Sequence, residues 1–390
     1  MAPNLPADVE LPNIVERLLA HVDARTTDQA PGLMAVDPRK YTDPEVAERE
    51  RELLFARVPV VAAHSSELAG PNDFRTVQLP NNEVLLARQS DGRVRGFLNV
   101  CRHRGARLVS DESGSRRVFS CPYHGWSYGV DGALHAVTHG KTVGHLDKSC
   151  FGLRAVPVEE RHGLVWVLDN PGGTLDVASW LGPEMDASLG GLELDKNVCY
   201  RSVCFDEPIN WKALVDGFVD TYHISVTHKG SVGPYFVNNV QLWDQLGRHG
   251  RKFSARRSLV ERRAEVGRGL DLDKHITLSH LVLPTTQLLR QPDHFQLLTF
   301  LPDPHEPNHA RMHIRLLVSD PEPDERARRT WDKNWEILMV TLRDEDLTMN
   351  RDLQRALAGR DTPALVLGRN EIVNQVFHRW YDSVMQGDQP

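Results

Sequence analysis

The sequence predicts an α+β fold in two parts: an all-β domain, then a domain whose central antiparallel sheet is flanked by helices. Three observations support this prediction. Short strand-like runs separated by Asp-Gly turns fill residues 83–168. Longer apolar runs follow within residues 275–319, and they could build one sheet. Amphipathic helical patterns then cover residues 330–347 and 369–384.

Composition limits the classes of protein to which the chain can belong. Its 390 residues suffice for two or three domains, and 40% hydrophobic with 25% charged residues is typical of a globular protein with a core. The net charge of −7 gives no indication of a nucleic-acid or anionic-membrane partner. The sequence shows no secretion leader and no apolar run of about 18 residues. The odd, sparse set of cysteines argues against a disulfide framework and predicts a cytoplasmic protein. These are Cys101, Cys121, Cys150, Cys199 and Cys204.

Two of the cysteines are each followed closely by a histidine, as Cys101-x-His103 and Cys121-x-x-His124. Coincidence is the least favoured explanation, because four such residues stand in two tight pairs. A structural zinc site usually groups its two cysteines together and its two histidines together. In a Rieske [2Fe–2S] centre two histidines replace two cysteines on one iron, so each of two loops supplies one sulfur and one nitrogen. The mixed pairs favour this third interpretation.

The residues around the two pairs resemble a known family. Gly105, Pro122 and Gly125 stand where loops must turn tightly. NVCRHRGARL followed by SCPYHGWSYGVDGAL is similar to the Rieske domain of the Rieske non-heme iron oxygenases, the aromatic ring-hydroxylating oxygenase alpha subunits. The resemblance implies an all-β Rieske [2Fe–2S] domain, with both Cys-His pairs as cluster ligands.

A second set of polar residues lies in PINWKALVDGFVDTYHISVTHKG, residues 208–230. The apolar periodicity predicts a buried helix on which Asp216, Asp220 and His223 form one polar stripe. His228 follows five residues after His223, and the resulting angle of about 140° is too wide for two ligands on a regular helix. We therefore expect a distorted last turn, with a π-like bulge or an end just after His223.

This stretch also resembles the iron motif of the same family. By that resemblance, His223 and His228 bind a mononuclear Fe(II). Asp220, three residues before the first histidine, is then the bridge that carries electrons between subunits. Two histidines and one carboxylate form the facial triad of non-heme iron oxygenases.

The third ligand is expected in LRDEDLTMNRDLQRALAG, which contains several acids. The family has an acid pair whose second member is the ligand, followed by a glutamine eight residues later. Asp346 and Gln354 fit this pattern, so Asp346 is chosen as the ligand, with Asp344 and Glu345 as alternatives. The competing explanation for the acids in this stretch is that negative side chains are favoured near a helix N-terminus, where the helix dipole is positive.

One departure from the family pattern lies just before the iron motif. The family usually has an acid-Asn pair there, whereas this chain has Asp216-Gly217. Glycine within a helix costs about 1 kcal/mol relative to alanine. Either the helix makes a close contact at this point, or the glycine opens space beside the iron. We therefore place Asp216 and Gly217 in the expected substrate pocket.

The expected domains are a helical segment at residues 1–55 that packs on the catalytic domain, a Rieske domain at 56–168 and a catalytic domain at 169–390. The resemblance implies the terminal oxygenase component of a multicomponent system. Such a component uses O2 to hydroxylate a hydrophobic, aromatic or polycyclic small molecule. Oxidative O- or N-demethylation is the alternative reaction. A pure electron carrier and a zinc-structured binding protein are less favoured, the first because the second histidine motif would have no purpose.

The expected partners follow from the same resemblance. The chain has no Gly-rich dinucleotide fingerprint, so NAD(P)H oxidation is expected on a separate reductase, directly or through a ferredoxin. A head-to-tail homotrimer is expected, with or without a small beta subunit. In it, Asp220 would join His103 or His124 of one subunit to His223 of the next.

Overall fold

The computed structural model describes residues 3–359 and 361–388. Contacts divide the chain into two compact units. One contains the chain up to Arg49 together with the chain from Leu181 onward, and the other runs from Glu50 to Trp180. The sequence prediction placed these divisions after residues 55 and 168. The outer ends of the predicted ranges 1–55 and 169–390 lie outside the described residues.

The N-terminal segment belongs to the first unit. It consists of α1 (Leu11–Ala24), β1 (Met34–Val36) and α2 (Pro44–Glu50). Helix α1 buries Ile14, Val15, Leu18 and Leu19, which recur at the spacing of one helical face. Strand β1 pairs antiparallel with Leu365–Leu367, so both ends of the chain contribute to the same unit.

The second unit is built from short strands. They are β2 (Val60–His64), β3 (Asp73–Gln78), β4 (Glu83–Arg88), β5 (Val94–Leu98), β6 (Ser113–Ser115), β7 (Val118–Ser120), β8 (Ser127–Gly129), β9 (Leu134–Ala136), β10 (Ala155–Val156), β11 (Val158–Arg161) and β12 (Leu164–Val167), with one short helix, α3 (Gly140–Val143). Three antiparallel sheets have the strand orders β10-β5-β4-β3-β6, β11-β12-β2 and β7-β8-β9. Phe74, Phe97, Phe119 and Tyr128 lie in the core between strands.

The first unit continues with a large sheet and several helices. They are α4 (Val177–Gly191, kinked at Gly182), β13 (Val198–Glu207), α5 (Trp211–Val219), α6 (Ile224–Thr227), β14 (Phe236–Leu246), β15 (His249–Arg256), α7 (Arg257–Glu261), β16 (Ile276–Val282), β17 (Thr286–Arg290), β18 (Phe295–Pro302), β19 (Ala310–Val318), α8 (Glu325–Met339), α9 (Leu347–Leu357), β20 (Leu365–Leu367) and α10 (Ile372–Met385). A π-helical segment, Val340–Asp346, joins α8 to α9.

Seven of these strands form one antiparallel sheet in the order β13-β19-β18-β17-β16-β15-β14. Successive side chains in a strand point to opposite faces. Along β15, Arg251 reaches Ser188 of α4 and Asp8, whereas the next residue, Lys252, reaches the end of α5. The sheet therefore separates α1 and α4 from the helices that carry the iron motif.

The predicted fold class is confirmed. The predicted strands at 83–168 and 275–319 and the helical segments at 330–347 and 369–384 all occur. The main difference is that residues 330–347 are not one regular helix, because the π-helical segment interrupts it. Among the residues that the structure describes, no helix combines the length and apolar character needed to cross a lipid bilayer.

Candidate metal centres

Two loops of the β-rich unit present the Cys-His pairs, and they share one backbone pattern. The N–H groups of Cys101 and Cys121 each donate to the carbonyl five residues later, at 2.8 Å in both loops. The N–H groups of Gly105 and Gly125 return to the cysteine carbonyls, at 3.0 Å in both loops. These glycines have φ of 74° and 71°, a region that other residues rarely adopt. The repeated turn explains why each motif contains a glycine.

The loops bring the four predicted cluster ligands together. Cys101 and Cys121 are buried neighbours, whereas His103 and His124 are more accessible, with ring centroids 4.6 Å apart. Burial raises the pKa of the Cys101 thiol, whose Sγ lies 3.4 Å from the Tyr128 hydroxyl. Two inner thiols and two outer imidazoles match the donor set of a Rieske [2Fe–2S] cluster. The residues present therefore fit this group.

The chain before the second site differs from the sequence prediction. Helix α5 ends at Val219, and Asp220 is extended, with φ −73° and ψ 148°. The Asp220 carboxylate accepts the backbone N–H of Tyr222 at 2.6 Å and that of His223 at 3.2 Å. The prediction of one polar stripe from Asp216 to His223 on a single helix is wrong. Aspartate ended the helix early because its side chain bonds to the following backbone instead.

This turn brings three side chains to one point. The Nε2 atoms of His223 and His228 lie 3.1 Å apart. Asp346 Oδ1 lies 3.6 Å from the first and 3.1 Å from the second. One ligand atom from each residue lies within 4.8 Å of the others. Two imidazole nitrogens and a carboxylate oxygen at this separation fit a single Fe(II), so the structure brings together the three residues predicted as iron ligands.

Each histidine is held by a carboxylate through its other ring nitrogen. His223 Nδ1 lies 2.8 Å from Asp220 Oδ2, and His228 Nδ1 lies 2.7 Å from Glu345 Oε2. Ser231 donates to the same Glu345 oxygen at 2.5 Å. A proton on Nδ1 leaves the Nε2 lone pair available for a metal. The two carboxylates thereby set both the tautomer and the orientation of the rings.

The π-helical segment at Val340–Asp346 supplies the third ligand. Such segments change the direction of side chains relative to a regular helix and are frequent at functional sites. Asp346 is buried and faces the histidines, whereas Asp344 is exposed and pairs with its neighbour Arg343. Glu345 contacts the outer nitrogen of His228 instead of the inner one. Of the three acids considered, Asp346 is the one placed against both Nε2 atoms.

The second site favours positive charge. Burial lowers the pKa of His223, but the hydrogen bonds with Asp220 and Asp346 outweigh it and raise the pKa to about 9. Burial raises the pKa of Asp346, but both histidines oppose this and bring it below its ordinary value. A divalent cation between Asp346 and the two Nε2 atoms would replace a proton at those atoms, whereas the Nδ1 protons would stay with Asp220 and Glu345.

A cavity of about 1160 Å³ opens beside the three ligands. This volume is slightly above the usual range for small-molecule sites, roughly 300–1,000 Å³. Its apolar lining includes Phe218 and Ile224 around the iron motif, Leu298 on the sheet, and Ile337 and Leu342 from the helical segment that ends at the third ligand. The cavity thus connects a metal site with room for an organic substrate.

The adjacent residues Asp216 and Gly217 face different sides of α5, since successive helical residues are about 100° apart. Gly217 lines the cavity, and a Cβ at this position would lie 2.8 Å from Asn350 Nδ2. Asp216 accepts a hydrogen bond from the Tyr41 hydroxyl at 2.7 Å and lies 3.0 Å from His378 Nε2. It is not among the described residues that line the cavity, so its placement in the pocket is wrong.

Two residues support the iron ligands in ways that the sequence motifs do not predict. Glu345 was considered only as an alternative ligand, although it orients His228. Asn350 was not considered, and its Nδ2 donates to the Asp346 carbonyl at 3.0 Å. The four-residue spacing from Asp346 to Asn350 is a local signal that could have found it. Gln354, chosen for its spacing, accepts the backbone N–H at the start of α5 at 2.9 Å.

Family models match both units. The Rieske [2Fe–2S] domain matches residues 58–147, and the ring hydroxylating alpha subunit (catalytic domain) matches residues 194–387. The large oxygenase component of the naphthalene 1,2-dioxygenase system of Pseudomonas aeruginosa is 38% identical over 204 residues, 49% of this chain and 44% of that protein. The carnitine monooxygenase oxygenase subunit of Escherichia coli (strain K12) is 34% identical over 212 residues, 53% of this chain and 54% of that protein. The matched part is thus about half the length of these curated relatives.

Solved structures show the same fold. A quaternary ammonium Rieske monooxygenase in complex with L-carnitine superposes with a TM-score of 0.76 and 22% identity, over 92% of this chain and 97% of that chain. Naphthalene 1,2-dioxygenase from Rhodococcus sp. bound to indole gives a TM-score of 0.74 and 20% identity, over 97% and 99%. Since the two family models together match most of the chain, the chain belongs to the Rieske non-heme iron oxygenases, as an alpha subunit with a [2Fe–2S] domain and a mononuclear iron domain.

Proposed function

We propose that this protein is the terminal oxygenase component of a multicomponent system, which uses O2 to oxidise a small organic substrate. The observation that supports this most is the convergence of His223, His228 and Asp346 beside a large cavity. When bound, the cluster would supply electrons one at a time, and the mononuclear iron would supply O2 activation. The remaining steps depend on how the protein holds the ligands and the substrate.

The protein's own residues prepare the iron site. Asp220 and Glu345 keep a proton on Nδ1 of each histidine, so that both Nε2 atoms point to the same place. Asn350 holds the carbonyl of Asp346 at 3.0 Å and so fixes the backbone of the third ligand. Three protein ligands leave other coordination positions available for O2 and water. Phe218 and Leu298 give the adjoining cavity apolar surface beside the ligands.

We further propose that electrons pass between subunits of a head-to-tail homotrimer. His103 and His124 lie near the surface of their unit, as a contact with another subunit requires. Asp220 already holds His223 Nδ1 through Oδ2, and its Oδ1 accepts only a backbone N–H among the described groups. A neighbouring subunit's cluster histidine could therefore donate to the same carboxylate. Asp220 would then be the bridge between the two metal centres.

The proposed partners are a separate NAD(P)H-dependent reductase and, where needed, a ferredoxin, in the cytoplasm. The curated relatives support a multicomponent arrangement, because their names describe a large oxygenase component of a system and an oxygenase subunit. A small beta subunit is compatible with this arrangement. These partners remain part of the proposal.

For the reaction, we propose hydroxylation of a hydrophobic, aromatic or polycyclic compound, as in aromatic hydrocarbon catabolism. The similarity to naphthalene 1,2-dioxygenase components supports this class. Oxidative O- or N-demethylation is the second candidate, because the relatives also include carnitine monooxygenase subunits. The volume of the cavity accommodates either class of substrate.

The experiment is a turnover assay with an added reductase and ferredoxin, followed by the mass of the product. Gain of two oxygens indicates dihydroxylation, gain of one indicates monohydroxylation, and loss of CH2 indicates demethylation. Cys101→Ser should remove the cluster colour, because an alkoxide is a poor substitute for a thiolate at iron. A colourless wild-type protein with bound zinc would overturn the proposal.

A further inference from the structure

The floor of the cavity is polar, which the metal centre does not explain. Because side chains alternate along β15, Lys252, Ser254 and Arg256 all face the cavity. Strand β16 places Ser279 opposite Lys252 and Thr277 opposite Ser254. Two positive charges and three hydroxyl groups thus line one face of a site expected to hold an apolar molecule.

The two charges mark different ends of this floor. Lys252 Nζ donates to the Val219 carbonyl at 2.6 Å, immediately before Asp220, which holds the iron ligand His223. Arg256 lies four residues further along the same strand. At about 3.3 Å per residue, the two Cα atoms are roughly 13 Å apart. Lys252 therefore belongs to the metal end of the cavity, and Arg256 belongs to the far end.

Arg256 lacks a counter-ion. Its Nη2 donates to the neutral amide oxygen of Gln291, and its guanidinium lies 5.5 Å from the ring centroid of Phe236. Its Nε is buried without a hydrogen-bond partner, and no described carboxylate lies within ion-pair distance. By contrast, Arg290 in the same sheet is paired with Asp273 at 2.6 Å. Burial lowers the pKa of Arg256, which shows that its surroundings disfavour an isolated charge.

A second unpartnered group lies beside it. Thr277 is 5% exposed, lines the cavity, and its Oγ1 has no hydrogen-bond partner among the described groups. It is opposite Ser254, which makes it the diagonal neighbour of Arg256 across the strand pair. Leaving a buried polar group unsatisfied costs about 1–3 kcal/mol. Two adjacent donors in this state indicate an acceptor that belongs in the cavity.

The nearest competing acid is already engaged. Asp293 also lines the cavity, and its charge interacts with Arg256. Its Oδ1 lies 2.8 Å from His294 Nδ1, and its Oδ2 accepts from Asn334 Nδ2 at 2.9 Å. Because both oxygens have other partners, Asp293 does not serve as the counter-ion of Arg256.

We propose that the substrate is an amphipathic organic acid whose carboxylate binds Arg256 and Thr277 at the far end of the cavity. Its apolar part then extends along Leu289 and Leu298 toward the metal ligands. A small turn of the Arg256 and Thr277 side chains brings their unpartnered donors to the carboxylate, which supplies the acceptor that both lack. An arginine fork also suits a carboxylate well. This inference rests on the proposed function for the reaction at the apolar end, but the binding step needs neither O2 nor reductase.

The test is anaerobic calorimetry on the full iron-loaded protein with acid and amide pairs of nearly equal shape. Suitable pairs are naphthylacetate with naphthylacetamide, phenylbutyrate with phenylbutyramide, and octanoate with octanamide. Arg256→Gln removes the charge, and Arg256→Lys keeps it but loses the fork. Arg355→Gln is the matched control, because Arg355 is exposed, pairs with Asp352 and lies outside the cavity lining. Iron content and cluster absorbance verify that each variant is folded.

At least one acid should bind wild type about tenfold or more tightly than its amide, as a hydrogen bond to a charged group implies. Arg256→Gln should remove this preference by weakening acid binding much more than amide binding. Arg256→Lys should keep part of the preference, and Arg355→Gln should change the affinity for neither compound. The proposal is overturned if every acid binds no better than its amide, or if Arg256→Gln weakens acid and amide equally. Turnover of neutral compounds alone, with no acid preference, would leave the oxygenase function standing and remove only the acid subsite.

Discussion

Glu345→Ala should weaken iron binding although it removes no ligand. Glu345 Oε2 lies 2.7 Å from His228 Nδ1 and accepts a second hydrogen bond from Ser231 at 2.5 Å. The side chain of His228 is 4% exposed, so water has little access to replace the lost carboxylate. Without Glu345, the imidazole can rotate or place its proton on Nε2, and both changes oppose metal binding.

The size of the effect follows from this one contact. A hydrogen bond to a charged group contributes about 1.5–3 kcal/mol. Since 1.4 kcal/mol corresponds to tenfold in an equilibrium constant, the affinity for Fe(II) should fall by about 10- to 100-fold. This agrees with the range of about 10- to 100-fold found for residues that support metal-bound histidines. Asp346→Ala, which removes a ligand, should lower the affinity further.

The assay is anaerobic competition for Fe(II) between the protein and a chelator, with cluster absorbance as the check on folding. Asp344→Ala is the matched control, since this neighbouring acid is exposed and pairs only with Arg343 among the described residues. Its iron affinity should equal that of wild type. Wild-type affinity in Glu345→Ala, or loss of iron in Asp344→Ala, would refute the assignment of these acids.

Three further predictions concern electron transfer, the cavity and stability. Asp220→Ala should keep cluster colour and most of the iron, while single-turnover product is lost; wild-type cluster reoxidation and product yield would show that it is not the bridge. Gly217→Asn should narrow the substrate range, because a Cβ there already contacts Asn350 and the rest of the side chain has to enter the cavity that Gly217 lines; unchanged specificity would favour a packing role. Burial and the nearby Arg251 lower the pKa of His280 to about 3, and its Nε2 lies 2.9 Å from Ser188 Oγ. The unfolded chain binds a proton at this histidine below about pH 6.5, whereas the folded chain does not, so stability falls as the pH drops. In denaturant titrations, the stability of wild type relative to His280→Gln should decline by about 1–2 kcal/mol from pH 6.5 to 5. A constant difference would contradict it.

Local patterns predicted most of the fold. Strand periodicity identified the sheet strands of both units, and helical periodicity identified α10 and the segment from α8 to α9. The error lay where local competition decided the structure, at Asp220. An aspartate can continue a helix with its side chain on the helix surface, or it can end the helix by accepting the backbone N–H groups that follow. The spacing of the apolar residues is the same in both cases, so it does not distinguish them. The π-helical segment before α9 was missed for a similar reason, since its apolar residues still recur at nearly helical spacing.

The metal ligands were predictable because they occur in short motifs, whereas the cavity was not. Basic residues are frequent throughout residues 248–263, so the sequence does not single out Lys252 and Arg256. Only the structure shows that these two face the cavity. Only the register of β15 with β16 places Thr277 near these charges. Asp216 was misplaced because a linear motif does not specify which side of a helix faces the cavity. Which residues line the cavity therefore depends on strand pairing and helix orientation, and local sequence patterns do not specify either.

The central claim is that one chain holds two distinct iron centres, and metal analysis tests it most directly. The measurement is iron, zinc and acid-labile sulfide per chain in wild type and in His223→Ala/His228→Ala, purified or reconstituted anaerobically. Wild type should contain about three irons and two sulfides, from one [2Fe–2S] cluster and one mononuclear iron. The double variant should lose about one iron and keep both sulfides and the cluster absorbance. Equal iron in both proteins, or zinc in place of iron at the cysteines, would contradict the account.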